Sequence, residues 1–222
     1  NLPQINTEGS IDSVVSVNDA AGFSIVKYTG EGAARTVGHG LSSTPEMVII
    51  KNLDDARNWT VYHTGLSSSS YISLNSSAAE TTDTRTDGGQ PRPFGPFNST
   101  TFGVNIDNET GHTNNYIAYC WYSVAGYSKI GSYNGSNYPI TITTGFQPRF
   151  LLIKRTNTSG NSWVIIDSAR EIGSGADALF PDLSVAESSS WNTDFISTGF
   201  TISSNESYIS ASGGEYIYMA FK

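Results

Sequence analysis

The sequence has very little of several features that define whole classes of proteins. Its 222 residues include one cysteine, Cys120, so no internal disulfide can stabilise the fold. Only 14% of the residues are charged, against about 25% in average soluble domains. No apolar run approaches the roughly 18 residues of a membrane span. We therefore expect no membrane insertion and a fold held together by packing.

Positive charge is also scarce. Twelve Lys and Arg residues stand against 20 Asp and Glu residues, which gives a net charge of −8, and no basic run offsets it. A nucleic-acid partner is therefore disfavoured, since such a partner requires cations for its phosphates. Aromatic residues are plentiful at 12%, which supplies apolar surface for a real core and argues against disorder.

Motifs of known catalytic or metal chemistry are missing. The three histidines, His39, His63 and His112, form neither a close pair nor an H-E-x-x-H motif, and no phosphate-binding glycine loop or serine-nucleophile motif occurs. Residues 105–111 (NIDNETG) partly resemble a calcium loop, but the misplaced glycine favours an ordinary turn. We expect no enzyme activity, catalytic residue, metal or cofactor.

What the sequence does contain is strand patterning. Apolar and polar residues alternate with a period of two between turn residues, as in residues 23–28 (FSIVKY) followed by Thr29 and Gly30. The best short helical candidates are residues 168–172 and 176–179. The pattern predicts an all-β, antiparallel protein.

An internal duplication organises these strands. Landmarks in the first half recur in the same order about 100 residues later. The matching pairs are Phe23 with Tyr127, Pro45 with Pro148, Lys51 with Lys154, Trp59 with Trp163, Phe102 with Phe200, and Tyr116 with Tyr216. This order predicts an antiparallel β-sandwich built from two duplicated halves, either tightly docked or merged into one larger sandwich.

The duplication sets the expected boundaries. Residues 1–20 are a lead-in segment or an extra strand, residues 21–124 form the first β repeat, and residues 125–222 form the second. Within the first repeat, the Ser-, Gly- and Pro-rich stretch 67–97 is predicted to be a long surface loop, a feature that is often functional.

The composition of the surface suggests carbohydrate recognition. Few charges, many Ser, Thr, Asn and Gly residues, and aromatic residues in or beside loops suit hydroxyl pairing and ring stacking on sugars. The loop aromatics are Tyr71, Phe94, Phe97, Tyr138 and Trp191. Some of these aromatics lie in the 67–97 stretch and have no counterpart in the second half. With Arg92 of the Pro-rich insert 90–97, they are the best candidate ligand-binding residues: Tyr71, Phe94, Phe97 and Arg92.

These landmarks resemble a family of β domains of uncharacterised function that recurs in tail-fibre and other virion structural proteins of bacteriophages, especially marine and cyanobacterial phages. The resemblance covers residues 20–222. It is carried by the motifs GFSIV at 22–26, GHGL at 38–41, YIAYCW at 116–121, GYSK at 126–129, DSAR at 167–170 and YIYMAF at 216–221. The Pro-rich insert at 90–97 departs from the family pattern.

The resemblance implies a non-enzymatic structural module of a virion, on a tail fibre, another appendage or the capsid surface. The expected partners are other virion proteins and a bacterial surface glycan, to which the module would help the particle attach. A capsid- or tail-decorating protein and a surface-polysaccharide hydrolase are the alternatives. Because fibre proteins are often trimeric, a homotrimer is one expectation, although no heptad or collagen-like segment reports the oligomeric state.

Overall fold

Alternating buried and exposed residues form β-strands throughout the chain. The computed structural model describes residues 2–87, 90–136, 138–170 and 176–222. It is all-β with antiparallel sheets, which confirms the predicted fold class. None of these residues forms a helix long and apolar enough to cross a membrane.

The chain divides into two compact units. Unit 1 comprises Asn1–Leu74 and Thr81–Tyr122, whereas unit 2 comprises Asn75–Glu80 and Ser123–Lys222. Unit 2 therefore includes residues 75–80, which precede the rest of the unit by more than 40 residues in the sequence. Within unit 2 this piece is held by backbone hydrogen bonds from Glu80 N–H to the Thr156 carbonyl (2.7 Å) and from Gly160 N–H to the Ser77 carbonyl (2.9 Å).

Unit 1 contains thirteen described strands. They are β1 (Gln4–Asn6), β2 (Ser13–Asn18), β3 (Phe23–Thr29), β4 (Arg35–Gly38), β5 (Met47–Asn52), β6 (Trp59–His63), β7 (Ser70–Ser73), β8 (Thr81–Thr82), β9 (Thr86–Asp87), β10 (Gln90–Pro91), β11 (Phe94–Phe97), β12 (Thr101–Val104) and β13 (Asn115–Trp121). An eight-stranded sheet runs β1-β2-β3-β13-β5-β6-β7-β8, and a three-stranded sheet runs β11-β12-β4. Strands β9 and β10 pair with each other.

The core of unit 1 lies between its two larger sheets. Strand β13 pairs on both sides, with β3 and with β5, and its alternate residues Tyr116, Ala118 and Cys120 are fully buried. They belong to one apolar cluster with Phe102 and Val104 of the small sheet. Cys120 is thus a core residue, and burial raises the pKa of its thiol.

Unit 2 has a similar arrangement of nine described strands. They are β14 (Ser128–Asn134), β15 (Ile140–Thr143), β16 (Phe150–Arg155), β17 (Val164–Asp167), β18 (Ala176–Leu179), β19 (Ser188–Trp191), β20 (Thr193–Ile196), β21 (Gly199–Ile202) and β22 (Glu215–Phe221). A six-stranded sheet runs β14-β22-β16-β17-β18-β19, and a three-stranded sheet runs β15-β21-β20. One apolar cluster joins them, with Phe200 and Ile202 from the small sheet and Tyr216 and Tyr218 from the large one.

The two units share local geometry. In unit 1 the last strand, β13, lies between β3 and β5, and in unit 2 the last strand, β22, lies between β14 and β16. Tyr28 stacks on Tyr116 with ring centroids 5.3 Å apart, and Tyr133 stacks on Tyr216 at 5.0 Å. The aligned landmarks therefore occupy corresponding places in the two sheets.

Two expectations about local structure require correction. Residues 176–179, a helical candidate, form strand β18, because Ala178 and Leu179 pair with β17 and tertiary pairing overrides a short helical pattern. Of the other candidate, residues 168–170 form a turn and residues 171 and 172 lie outside the described residues. The predicted loop 67–97 contains the short strands β7 to β11, and its residues 88 and 89 are likewise outside the described part.

Candidate functional site

The four candidate ligand-binding residues line two clefts of unit 1. The first, here called the aromatic cleft, has a volume of about 270 Å³ and is lined by Tyr62, His63, Thr64, Leu66, Ser67–Ser70 and Arg92–Phe97. The second, the arginine cleft, has a volume of about 360 Å³ and is lined by Arg57, Tyr71, Arg85, Arg92, Ile106–Glu109 and His112. Arg92 lines both clefts.

A stacked pair of rings lies in the aromatic cleft. Phe97 stacks on Tyr62 with centroids 3.8 Å apart and an angle of 13° between the planes, and Phe94 meets Tyr62 edge-on at 5.8 Å. Residues three apart on a regular strand point to opposite faces. The β11–β12 register shifts between Phe94 and Phe97, and this irregularity lets both rings reach Tyr62.

Two facing glycines make this irregular pairing possible. A Cβ atom built on Gly103 would lie 2.5 Å from the Gly95 Cα, and one built on Gly95 would lie 3.1 Å from the Gly103 Cα. The backbones of β11 and β12 thus approach more closely than side chains allow. Glycine at both positions holds the two phenylalanines of β11 in place.

The rings in the aromatic cleft differ in how far they are exposed to solvent. Phe94 is 5% exposed and belongs to the apolar core of unit 1, so it forms a wall of the cleft. Phe97 and Tyr62 are half-buried, and burial raises the pKa of the Tyr62 hydroxyl. Phe97 and Tyr62 are therefore the rings best placed to contact a ligand.

Serine hydroxyls line another part of the aromatic cleft. Ser67, Ser68 and Ser69 are exposed, and Ser69 is the only non-glycine residue with positive φ (61°) in the described ranges. Its carbonyl accepts a hydrogen bond from the Asp83 N–H (3.1 Å), which fixes this turn. A left-handed serine costs conformational energy, and such residues are concentrated at functional sites.

In the arginine cleft, Arg85 is held by a buried carboxylate. Its Nε lies 2.9 Å from Asp83 Oδ1 and its Nη2 lies 2.5 Å from Asp83 Oδ2, a bidentate pair. The same Nη2 lies 3.8 Å from Asp107 Oδ2. The hydrogen bond from Arg85 lowers the pKa of Asp83, so this carboxylate is ionised and its charge is matched.

Arg92 lies beside this pair and acts electrostatically on Asp83 without contacting it. Its side chain is half-buried, its Nε is buried, and neither an ion pair nor a hydrogen bond joins it to the described part of the chain. The backbone next to it is fixed by buried bonds. Thr110 Oγ1 donates to the Pro93 carbonyl (2.6 Å), and the Tyr28 hydroxyl donates to the Thr110 carbonyl (2.6 Å).

Glu109 provides an acceptor in the same cleft. Burial and the neighbouring Asp107 raise the pKa of its carboxyl, whereas the Arg57 guanidinium lowers it. Its Oε2 is buried without a hydrogen-bond donor. Tyr71 completes the cleft, and burial together with Asp107 raises the pKa of its hydroxyl.

The segment that partly resembles a calcium loop forms a turn. Asn105 Oδ1 accepts from the Ile106 N–H (2.7 Å), and Asp107 Oδ1 accepts from the Glu109 N–H (2.9 Å). Within the described ranges, no group of three or more histidine, cysteine or acidic side chains is arranged to hold a metal ion.

The remaining candidates lie in unit 2 or in the core. Trp191, one of the loop aromatics considered for sugar contact, is 5% exposed, packs against Phe180 and Tyr208, and donates from Nε1 to Ser188 Oγ (3.0 Å). It is a core residue, so the expectation of sugar contact is wrong for it. Tyr138 is half-buried and donates to the Ser210 carbonyl (3.1 Å).

Several lining residues were absent from the candidate set. Arg57, Arg85 and Tyr62 are distant in sequence from Arg92, so only strand pairing brings them to it. The excess of arginines around 57–92 was a signal available in the sequence, because the chain has only seven arginines.

The protein is all-β, its antiparallel sheets pack together around apolar clusters in each unit, and both clefts lie on unit 1. Residues 2–222 match the family described as Domain of unknown function (DUF7483), so the chain belongs to that family. It matches no curated protein and no solved structure.

Proposed function

We propose that this protein is a non-enzymatic binding module that attaches to carbohydrate through the aromatic cleft. One observation carries the proposal: the Phe97–Tyr62 stack and a run of serine hydroxyls line the same cleft. Aromatic rings stack on the apolar faces of sugars, and hydroxyls pair with sugar hydroxyls. The low charge of the chain, 14%, agrees with recognition of neutral polar groups.

The biological setting we propose is a bacteriophage virion. The resemblance of residues 20–222 to virion structural domains supports this setting, with the module on a tail fibre or another surface appendage and the bacterial surface glycan as its ligand. Antibody labelling of purified particles would test it. Label at the fibre supports attachment, whereas label spread over the capsid favours a decorating role.

We also propose that the two units arose by duplication. The shared order of landmarks and the matching positions of β13 and β22 support this proposal. Under it, β20, which pairs with β21, is the counterpart of β11, which pairs with β12, and β11 carries a proline, Pro96, that β20 lacks.

Binding of the full chain to polysaccharides extracted from candidate host bacteria tests the proposed function. We expect Phe97→Leu, which keeps the apolar volume but removes the ring, to weaken binding about fivefold, the equivalent of one aromatic contact. Phe23→Leu is the matched control, because Phe23 is half-buried in unit 1 and stacks on Trp121 away from both clefts. Equal losses of binding affinity in the two variants would contradict the assignment of the aromatic cleft as the binding site.

The same incubation distinguishes binding from hydrolysis. Released reducing ends, measured over time with the full chain and an extracted polysaccharide, would support the hydrolase alternative. Glu109, with its raised pKa beside Asp107, is then the residue to replace first. Retention of polysaccharide without release supports the binding module, and the absence of both retention and release overturns the proposal.

A further inference from the structure

The arginine cleft brings several cationic side chains together in a chain that has few of them. Three of the seven arginines in the sequence, Arg57, Arg85 and Arg92, line this one cleft. The protein as a whole carries a net charge of −8. Placing like charges together costs free energy unless an anion compensates them.

An internal anion compensates one of the three. Asp83 is buried and makes the bidentate pair with Arg85, so these two side chains form a neutral, fixed part of the cleft wall. Asp107 Oδ2 lies 3.8 Å from the Nη2 atom that also contacts Asp83. Arg85 therefore has carboxylate partners within the protein.

The other two arginines act on carboxylates only from a distance, Arg92 on Asp83 and Arg57 on Glu109. Neither Arg57 nor Arg92 makes an ion pair within the described ranges, and Arg57 is exposed. The buried Nε of Arg92 makes no hydrogen bond to any of the residues that the structure describes. An unpaired buried donor is costly, so an arrangement of this kind is expected where an external acceptor completes it.

The acidic side chains of the cleft restrict the charge of the external acceptor. Asp107 and Glu109 lie among the arginines, and Arg57 acts electrostatically on Glu109. A multiply charged anion would be repelled by these carboxylates, whereas a single negative charge suits the two unpaired guanidinium groups. The unpaired Oε2 of Glu109 and the exposed His112 suit hydroxyl groups beside that charge.

A planar carboxylate on a polyhydroxylated ring meets these requirements. Guanidinium groups bind carboxylates through paired, charge-assisted hydrogen bonds. Arg92 lines both clefts, so a sugar chain in the aromatic cleft has a neighbouring residue within reach of the arginines. We propose that the arginine cleft binds the carboxylate of a uronic-acid residue, which makes the ligand an acidic glycan; this inference rests on the proposed function.

Calorimetric titration of the full chain with three probes tests the proposal. The probes are trigalacturonic acid, its fully methyl-esterified form and inorganic phosphate; the first two share the same sugar rings, and esterification removes the carboxylate charges. We expect the acid to bind about tenfold more tightly than the ester, the equivalent of one charge-assisted hydrogen-bonded pair. Phosphate, which places more than one charge on a single group, should bind more weakly than the acid, whose charges lie on separate carboxylates.

Single substitutions test whether the preference for the acid over the ester depends on the arginine cleft. Arg92→Gln and Arg57→Gln should each reduce the preference for the acid about tenfold, and Arg57 is exposed, so its substitution leaves the core untouched. Arg149→Gln is the matched control, because it removes the same charge at an exposed position of unit 2. Its preference for the acid should equal that of the wild type.

The outcomes separate this proposal from the proposed function. Equal binding of acid and ester, a preference that survives in both arginine variants, or phosphate binding as tight as that of the acid would overturn the arginine-cleft assignment. If the ester still binds in these cases and Phe97→Leu weakens it, the proposed function stands. Absence of binding by both the acid and the ester would overturn the arginine-cleft assignment, and binding to the extracted polysaccharides would then decide the proposed function separately.

Discussion

Lys154 makes the stability of unit 2 depend on pH in a predictable direction. Its side chain lies on β16, is 0% exposed, and donates from Nζ to the Arg155 carbonyl (2.8 Å). No carboxylate lies within ion-pair distance in the described residues, although Asp182 acts on it from farther away. Burial lowers the pKa of Lys154 from 10.5 to about 8.

The size of the effect follows from linkage. Between pH 8 and 10.5 the unfolded chain holds a proton on this lysine and the folded chain does not, so stability rises with pH across that window. At 1.36 kcal/mol for each pH unit between 8 and 10.5, the charge on the buried lysine lowers the free energy of unfolding below pH 8 by about 3 kcal/mol. Raising the pH from 7 to 10 should recover about 2 to 3 kcal/mol of it.

The test replaces the amine with a side chain of similar length. We expect Lys154→Met to be more stable than the wild type at pH 7, with the difference shrinking by about 2 to 3 kcal/mol at pH 10. Urea unfolding of the full chain at several pH values, followed by tryptophan fluorescence, measures both free energies of unfolding. Comparing the two proteins cancels the ionisation of tyrosines and Cys120, which they share.

Lys27→Met, at an exposed position on β3, controls for the loss of one positive charge. A difference between wild type and Lys154→Met that stays constant from pH 7 to pH 10 would refute the reasoning. It would mean that the folded protein holds the proton on Lys154 as readily as the unfolded chain does.

Three further predictions concern unit 1. Burial lowers the pKa of His39, whose Nδ1 accepts a hydrogen bond from the Leu41 N–H. The free energy of unfolding should therefore fall as the pH drops below about 6.5. In His39→Gln the urea midpoints measured at pH 7.5 and at pH 5 should lie closer together than in the wild type. Thr110→Val removes the bond to Pro93 and should cost about 1 kcal/mol, with faster amide exchange in the 90–97 segment; unchanged exchange would contradict this. Gly103→Ala should displace β11 and lower the melting temperature, whereas Gly126→Ala, at a φ of +76° with open space around it, should cost only the backbone strain.

The strands could be predicted because their signal is local. Alternation marks β3 and β13, and continuous apolar residues mark the central strand β5, which is paired on both sides. Strand β18 carries no comparable pattern, and it forms because β17 and β19 supply its hydrogen-bond partners. Local signals are weak wherever pairing decides the structure.

The clefts were predictable only in part, for a related reason. Spacing alone places Phe94 and Phe97 on opposite faces of a strand, and the register shift that brings both to Tyr62 depends on the approach of Gly95 to Gly103. Four residues of the 67–97 segment line one cleft or the other: Tyr71, Phe94, Phe97 and Arg92. Arg57 and Arg85 enter only through the three-dimensional arrangement.

The membership of Asn75–Glu80 in unit 2 has a consequence for biosynthesis. This hexapeptide leaves the ribosome long before its hydrogen-bond partners at Thr156, Ser159 and Gly160. It stays without these partners while β8 to β13 are translated, because residues 156–160 follow it by about 80 residues, a little over a third of the chain. Unit 2 therefore completes its structure late in translation, and cleavage at residue 122 alone would leave it without one of its own segments.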